Sequence, residues 1–351
     1  MTEKFSGGEK YTIDLLASLA ERGWRVSLVG CDNEELETAC SNRGIRFVRS
    51  KLGPKLGKKT VLRVMVTWLR KEREFFALVH REDADVVLLQ YKLEQLLWAG
   101  KHIGSGVVLL EHGAIPVWIR RLRPVYRRYC AAVRSAENRF AASRPAQEAF
   151  ASIGFDSTIL SAGVDKPRVA SAITRAGTTR QQMLNLAHRS KLGIYAGRLT
   201  EGKGIVATAR ALAGSPDVAL FIAGAGPAEA ELREIAASAE NIVLLGSLAD
   251  PYPYIAASDF GVLMTQDPGE GRPLFAIECL ALGVPVVGNA SSPAMISLNA
   301  EFGDAIHLAS REELSELSSF IARVGPTKAN SHGWGEAAFV FEREISRVAA
   351  R

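Results

Sequence analysis

The sequence predicts an α/β fold made of two doubly wound domains in tandem, each a parallel sheet covered by helices on both faces. Three observations predict it. The chain has 351 residues, a length that suits two domains. Apolar runs of strand length alternate with amphipathic helical stretches almost throughout. Those strand runs are near-continuously apolar, as strands buried on both faces must be.

In the first half, a helix is expected over 8–22 and a strand over "WRVSLVG" (24–30). "IRFVRS" (45–50) reads as a strand, followed by one long helix over 60–78. "ADVVLLQ" (84–90) and "GVVLLEHG" (106–113) are strands, "RFAASRPAQEAFASIG" (139–154) is a short strand plus a helix, and "STILSAGVD" (157–165) closes the half. The stretch 166–191 is polar, basic and weakly periodic, and reads as the interdomain connection. In the second half the strands are "LGIYAGRL" (192–199), "DVALFIAGAG" (217–226), "NIVLLGSL" (241–248), "FGVLMTQ" (260–266) and "PVVGNA" (285–290). Helices follow them at 204–215, 227–239, 251–259 and 274–283. The expected domains are 1–168 and 191–330, joined by 169–190, with 331–351 as a terminal helix.

Composition is that of an ordinary soluble globular protein, 47% hydrophobic and 23% charged. No apolar run is long enough to span a bilayer, and "MTEKFSGGEK" is no signal peptide, so a cytoplasmic protein is expected. Cys31, Cys40, Cys130 and Cys279 form no CxxC pair and no His/Cys cluster has zinc spacing, so neither a disulfide framework nor a metal site is expected. Charge is uneven. Residues 1–165 hold 26 basic and 19 acidic residues, the remainder 17 and 19, so the halves are expected to meet different partners.

Ligands of doubly wound sheets bind outside the carboxyl ends of the strands, so two such domains would present those ends across a cleft. The residues just after strands are therefore the candidates. "DPGEGRPLFAIECLALGVPVVG" (267–288) places Pro273 at a helix start, Glu270 in the loop before it and Glu278 on the helix. The free N–H groups of Leu274 and Phe275 would form an anion site. Carboxylates flanking it could accept hydrogen bonds from sugar hydroxyls. "AGRLTEGKG" (196–204) sets Arg198 at a strand end and Lys203 before the next helix, two cations that suit a diphosphate. "FIAGAGP" (221–227) is neither GxGxxG nor a P-loop, and reads as close backbone packing at a strand end. "SGGEK" (6–10) opens the first helix with Gly7 and Gly8, where backbone could approach a ligand. "LEHGAIP" (110–116) puts His112 at a strand end, as a structural residue or a ligand contact.

In order and spacing these motifs resemble the retaining family-four glycosyltransferases of GT-B fold, over almost the whole chain. The resemblance rests on "EGRPLFAIE" (270–278), "GRLTEGK" (197–203), "GAGP" (224–227), "GGEK" (7–10), "EHG" (111–113), "SAGVD" (161–165) and "HGWGEAAFVFEREI" (332–345). It implies two Rossmann-like domains facing a cleft, with the terminal helix crossing back onto the first. It implies that Arg198 and Lys203 hold the diphosphate of a nucleotide sugar, foremost a UDP- or GDP-hexose. Glu270 would bind the donor sugar, Glu278 the ribose, Gly7 or Gly8 the phosphate, and His112 the sugar near its reacting carbon. No cofactor and no metal are implied. Substitution would proceed on the front face, with positioning and electrostatics supplying the catalysis. Three positions depart from the family pattern. The family's first strand, ahead of the GG loop, is missing, so the first sheet is expected to lack a central strand. Arg272-Pro273 replaces the usual pair after Gly271, and Ser161-Ala162 replaces Pro-Asn.

The basic half adds Arg120, Arg121, Arg123, Arg127, Arg128 and Arg134 among Trp118, Tyr126 and Tyr129, and four lysines in "KLGPKLGKK" (51–59). They read as a solvated face or as a surface for anionic lipid or a lipid-phosphate acceptor. No nucleic-acid module is recognisable. The expected function is transfer of a hexose to a saccharide or lipid-linked acceptor for cell-surface polysaccharide or glycoconjugate, as a peripheral protein of the inner membrane face. A nucleotide-sugar epimerase, or an inactive nucleotide-sugar-binding partner, are the alternatives.

Overall fold

The computed structural model describes residues 7–53, 56–57, 60–266, 270–310, 313, 316, 321, 324–325 and 333–349. It divides into two compact units, one formed by the chain up to Ala162 with the terminal helix, the other by Gly163–Gly333.

The first unit runs α1 (Gly7–Glu21), β1 (Ser27–Gly30), α2 (Glu34–Ser41), β2 (Arg46–Arg49), α3 (Val61–Val66), α4 (Trp68–Glu82) and β3 (Val86–Leu89). Then come α5 (Lys92–Trp98), β4 (Gly106–Glu111), α6 (Val117–Arg121), α7 (Arg123–Ser135), β5 (Asn138–Ala141), α8 (Arg144–Ala151) and β6 (Thr158–Ile159). Its strands form two separate parallel sheets, β1-β2 and β3-β4-β5-β6. Among the described residues, β1 pairs only with β2, and β3 only with β4. The helix expected over 60–78 is broken at Thr67, whose hydroxyl donates to the Arg63 carbonyl (2.8 Å) and ends α3.

The second unit begins with α9 (Lys166–Ala187), then β7 (Lys191–Ala196), α10 (Ile205–Leu212), β8 (Val218–Ala223), α11 (Glu229–Ser238) and β9 (Ile242–Gly246). It continues through α12 (Tyr252–Ala256), β10 (Phe260–Leu263), α13 (Leu274–Ala281), β11 (Val286–Asn289), α14 (Pro293–Phe302) and β12 (Ile306–Ala309). One parallel six-stranded sheet results, in the order β12-β11-β10-β7-β8-β9. Every residue of β8 and of β10 is buried, which is why their sequences carry no alternation. The stretch 169–190 is not a connection but most of α9, and it belongs to the second unit. Its buried stripe is only Ala172, Thr179, Met183 and Ala187, too narrow and too polar to read as amphipathic. Ion pairs anchor it instead, Arg168 and Arg175 to Asp250 (2.9 Å each) and Arg180 to Asp259 (3.1 Å).

The terminal helix α15 (Trp334–Ala349) packs in the first unit. Trp334 meets Tyr11 edge-on at 4.9 Å, Trp24 donates to Glu342 (3.0 Å), and Asn138 donates to the Glu344 carbonyl (2.9 Å). Inside this unit the Lys92 ammonium ion-pairs with Glu111 and lies 4.2 Å from the Tyr129 ring centre, while the Tyr129 hydroxyl donates to the same carboxylate (2.9 Å). Burial depresses the Lys92 pKa, opposed by the Glu111 charge. Removing one partner of a buried pair leaves the other charge uncompensated, at about 3–5 kcal/mol. Glu111→Ala is therefore expected to lower the thermal midpoint of the first unit by several degrees. An unchanged melting curve would show that the Lys92 charge is solvated.

Candidate active site

The candidate residues of the second unit converge at the carboxyl ends of β7, β10 and β8. Gly204 opens α10 with φ 70°, and a Cβ there would stand 2.2 Å from the Met264 carbonyl oxygen. Only glycine fits this approach. The Gly202 carbonyl in the same turn accepts from Gln266 N–H (2.8 Å), so the turn bearing Lys203 is bound to the chain that leaves β10. A second close approach fixes Arg198. A Cβ on Gly224 would stand 1.9 Å from the Gly197 carbonyl oxygen, and Leu199 N–H donates to Ala225 (3.0 Å). "GAGP" is thus backbone packing, pressed against the strand end that carries the cation.

Lys203 ion-pairs with Oε1 of Glu270, and both side chains are largely covered, at 24% and 14% exposure. Oε2 of Glu270 is buried and accepts no hydrogen bond among the described residues. A buried carboxylate oxygen without a donor is destabilising by about 1–3 kcal/mol, and it invites a donor such as a hydroxyl. The next helix, α13, starts at Leu274 behind Pro273, which supplies no side-chain cap. The amides of Leu274 and Phe275 therefore stand at a helix start without a side-chain cap, four residues along the chain from Glu270. Glu278 lies one turn further along α13, buried, accepting from the Tyr252 hydroxyl (3.3 Å). Arg272, where the sequence departs from pattern, grips Glu301 in a two-pronged pair (2.5 and 2.9 Å) that ties this loop to α14. Arg198 itself is exposed.

Sequence reasoning missed two tyrosines. The Tyr195 hydroxyl donates to the Arg198 carbonyl (2.8 Å), and its ring lies 5.8 Å from that of Phe275. It joins the cation-bearing strand end to the first turn of α13. Burial, and then the Glu270 charge, raise the Tyr195 pKa above its usual value, so it stays a neutral donor. A tyrosine near the end of an otherwise apolar strand was the available signal, because a buried phenol needs a partner. Tyr252, behind Glu278, had no such signal.

In the first unit, Gly7 and Gly8 begin α1, and Glu9 of that turn accepts a hydrogen bond from the Tyr91 hydroxyl. Thr12 donates to Gln90, and His112 Nε2 stands 3.4 Å from the same Gln90 oxygen. The Tyr11 ring meets His112 edge-on at 5.1 Å. The glycine turn and the ends of β3 and β4 are thereby gathered around Gln90 and Tyr91. The basic cluster divides. Arg120, Arg121 and Arg127 are exposed. Arg128 donates to Glu72 (2.7 Å) and to the Leu96 carbonyl (2.6 Å) and stacks on Trp68, so it holds the unit together rather than facing an acceptor. Of the four lysines at 51–59, Lys55, Lys58 and Lys59 lie outside the described residues.

Residues 190–319 match the family profile "Glycosyl transferases group 1", and 6–160 match "Glycosyl transferase 4-like domain". TuaC of Bacillus subtilis, assigned to teichuronic acid biosynthesis as a glycosyltransferase, is 32% identical over 51% of this chain and 46% of its own. A GDP-mannose-dependent phosphatidylinositol monomannoside mannosyltransferase of Corynebacterium glutamicum is 28% identical over 45% of each. The chain thus spans about half the length of the curated relatives it matches. Among solved structures, Anabaena Alr3699/HepE with UDP and glucose superposes with a TM-score of 0.75 at 19% identity, covering 99% of this chain and 97% of that one. Sucrose-phosphate synthase of Thermosynechococcus elongatus gives 0.73 at 17% identity, over 98% and 94%. At these identities the likeness establishes the shared fold.

The geometry yields a prediction that needs no substrate. Gly204→Ala puts a Cβ against the Met264 carbonyl at a left-handed φ, for about 1–3 kcal/mol of strain. The variant is expected to melt lower than wild type. Retention of the wild-type midpoint would mean that this turn is free to move.

Proposed function

Since the chain belongs to the group 1 glycosyltransferases, we propose that it is a retaining, metal-independent hexosyltransferase that uses a nucleotide-sugar donor, foremost a UDP- or GDP-hexose. One observation carries this reading: Glu270, bound through one oxygen to Lys203, keeps a buried second oxygen without a donor among the described residues. A diphosphate at the amides of Leu274 and Phe275 would meet the helix dipole, Lys203 and Arg198, and the leaving charge would be stabilised by fixed groups. Glu270 would then accept from donor-sugar hydroxyls and Glu278 from the ribose. Gly7, Gly8 and His112 are proposed as the donor contacts of the first unit. In the proposed step the acceptor oxygen bonds to the anomeric carbon on the face that the diphosphate leaves. The acceptor proton passes to the departing phosphate oxygen, so no protein nucleophile is needed.

The curated relatives named above, one a phosphatidylinositol monomannoside mannosyltransferase and one named for teichuronic acid biosynthesis, support a glycoconjugate acceptor. The first unit also carries an outward apolar stripe. Leu62, Met65 and Val66 of α3 and Leu69 of α4 are 63–88% exposed, and Arg63, Arg70 and Arg73 of the same two helices are exposed too. An apolar stripe flanked by arginines suits the headgroup region of an anionic membrane, and supports a peripheral protein on the cytoplasmic face. No described helix is long and apolar enough to cross a bilayer.

Calorimetry against UDP, GDP, ADP and their hexose conjugates tests the donor. One nucleotide is expected to bind saturably and to lose at least about tenfold in affinity in Arg198→Ala, the scale of a charge-assisted contact. Glu270→Ala is expected to keep its fold and to lose about 10²–10³-fold in transfer rate, the scale of a removed electrostatic contact. Normal turnover by that variant would exclude its assigned role. For the membrane, Leu62→Asp with Val66→Asp should abolish sedimentation with phosphatidylglycerol vesicles at low salt while nucleotide affinity stays unchanged. Undiminished sedimentation would rule the stripe out.

A further inference from the structure

We infer that Gln90 is a positioning residue for the proposed reaction: its side-chain NH2 group faces both Thr12 and His112 Nε2, and so holds neutral His112 in the tautomer with its proton on Nδ1. The functional part of this inference rests on the reading of His112 as a donor contact.

Gln90 follows β3 directly and reaches two other elements of the first unit. On α1 it meets the Thr12 hydroxyl, and at the end of β4 it lies 3.4 Å from His112 Nε2. Both contacts fall on one terminal atom of the amide, placed as its oxygen. Thr12 decides which atom belongs there. Its hydroxyl also lies 2.9 Å from the Gly8 carbonyl oxygen, one helical turn back. Carbonyl and amide oxygens only accept, and a threonine hydroxyl has one proton. With the amide oxygen facing Thr12, one of the two contacts lacks a hydrogen bond, although Thr12 is buried. A half-turn of the amide exchanges oxygen and nitrogen in place. Thr12 then donates to Gly8, the usual back-bond of a helical threonine, and accepts from Gln90. Both contacts are satisfied, and the cost of an unmade buried hydrogen bond is avoided. Among the described residues, no hydrogen bond holds the other terminal atom of the amide against this turn.

The NH2 group has a second proton for His112. Nε2 then accepts, and a neutral imidazole that accepts at Nε2 carries its proton at Nδ1. The place of the ring is set separately. Tyr11 meets it edge-on at 5.1 Å, and Tyr11 is itself held by the Leu160 carbonyl (2.5 Å) and by Trp334 (4.9 Å). The Ser143 hydroxyl fixes the His112 backbone by donating to its carbonyl (3.0 Å). Gln90 adds the choice of nitrogen. Because Gln90 occupies Nε2, that nitrogen neither takes the acceptor proton nor returns one to the leaving phosphate, in keeping with a step that uses no protein base. Gln90 also couples His112 to the glycine turn, since the hydroxyl it meets donates to Gly8. The next residue, Tyr91, holds the same turn through Glu9.

The test is nitrogen NMR of the imidazoles in the isotopically labelled 351-residue chain, at about pH 8, above the usual titration range of histidine. The His112 signals are identified by their loss in His112→Gln. Wild type is expected to show His112 protonated at Nδ1 alone. Gln90→Glu keeps the shape of the side chain but offers only oxygens, so Nε2 is expected to become protonated. Thr12→Val removes the group that orients the amide and is expected to leave both tautomers populated. In Gln90→Glu, transfer should fall roughly tenfold or more, the scale on which a misplaced contact group slows a reaction, while the affinity for sugar-free nucleotide is unchanged. Wild-type His112 protonated at Nε2 overturns the proposal, and so does an unaltered Nδ1–H form in Gln90→Glu. A changed tautomer with undiminished transfer overturns the positioning role and counts against His112 as a donor contact. The tautomers are read without substrate, so failure of the donor assignment leaves them standing and the two failures are distinct.

Discussion

In the second unit, two backbone segments meet more closely than any side chain allows, and the candidate site depends on both meetings. Gly204 sits against the Met264 carbonyl, and Gly224 against that of Gly197. The first fixes the turn that carries Lys203, the second the strand end that carries Arg198. Long cationic side chains lose up to about 2 kcal/mol of rotamer freedom when ordered. A rigid base reduces what a ligand must still immobilise, which is the physical content of preorganisation.

The Lys203–Glu270 pair follows from that rigidity, and stability alone does not explain it. A largely covered ion pair is weak support for a fold, since desolvation offsets much of its attraction. Here one carboxylate oxygen is left without a donor as well. A site evolved only to hold the loop would gain by closing that acceptor with a hydroxyl or an amide. Arg272 shows the alternative close by: it engages both oxygens of Glu301 and serves the loop as structure. The contrast is between a carboxylate with both oxygens engaged, that of Glu301, and one with an oxygen left open, that of Glu270.

Most of the architecture was legible, because parallel strands covered on both sides leave long apolar runs and site residues gather at their ends. Arg198, Lys203, Glu270 and Glu278 are candidates chosen on that ground, and of them Lys203 and Glu270 meet. What was not legible depended on partners distant in sequence. α9 reads as a polar linker because its stabilising arginines pair with Asp250 and Asp259, about eighty positions away. Arg128 looked like one of a row of surface charges, yet Glu72 and Trp68 hold it in place. Tyr195 supports the Arg198 backbone through a hydroxyl whose target lies three residues on, beyond the end of its strand.

The first unit poses a different physical problem, since an isolated pair of parallel strands does not hold itself together. β1 and β2 with α1 and α2 have a small core of their own, built on Ile13, Leu28, Leu36, Cys40 and Ile45. It is α1 that links this piece to the rest of the unit. The Tyr11 hydroxyl donates to the Leu160 carbonyl (2.5 Å), Arg22 pairs with Glu342 of α15, and Trp24 packs on Phe341. The α15 helix meets β5 as well, through Asn138 and the stacking of Phe140 on Phe341. It therefore ties the end of α1 and the turn after it to β5. Gly7 and Gly8 ride on α1, so the setting of that turn is determined by this strap as much as by local sequence. The terminal helix is thereby part of the frame of the proposed donor contacts, although it supplies none of them.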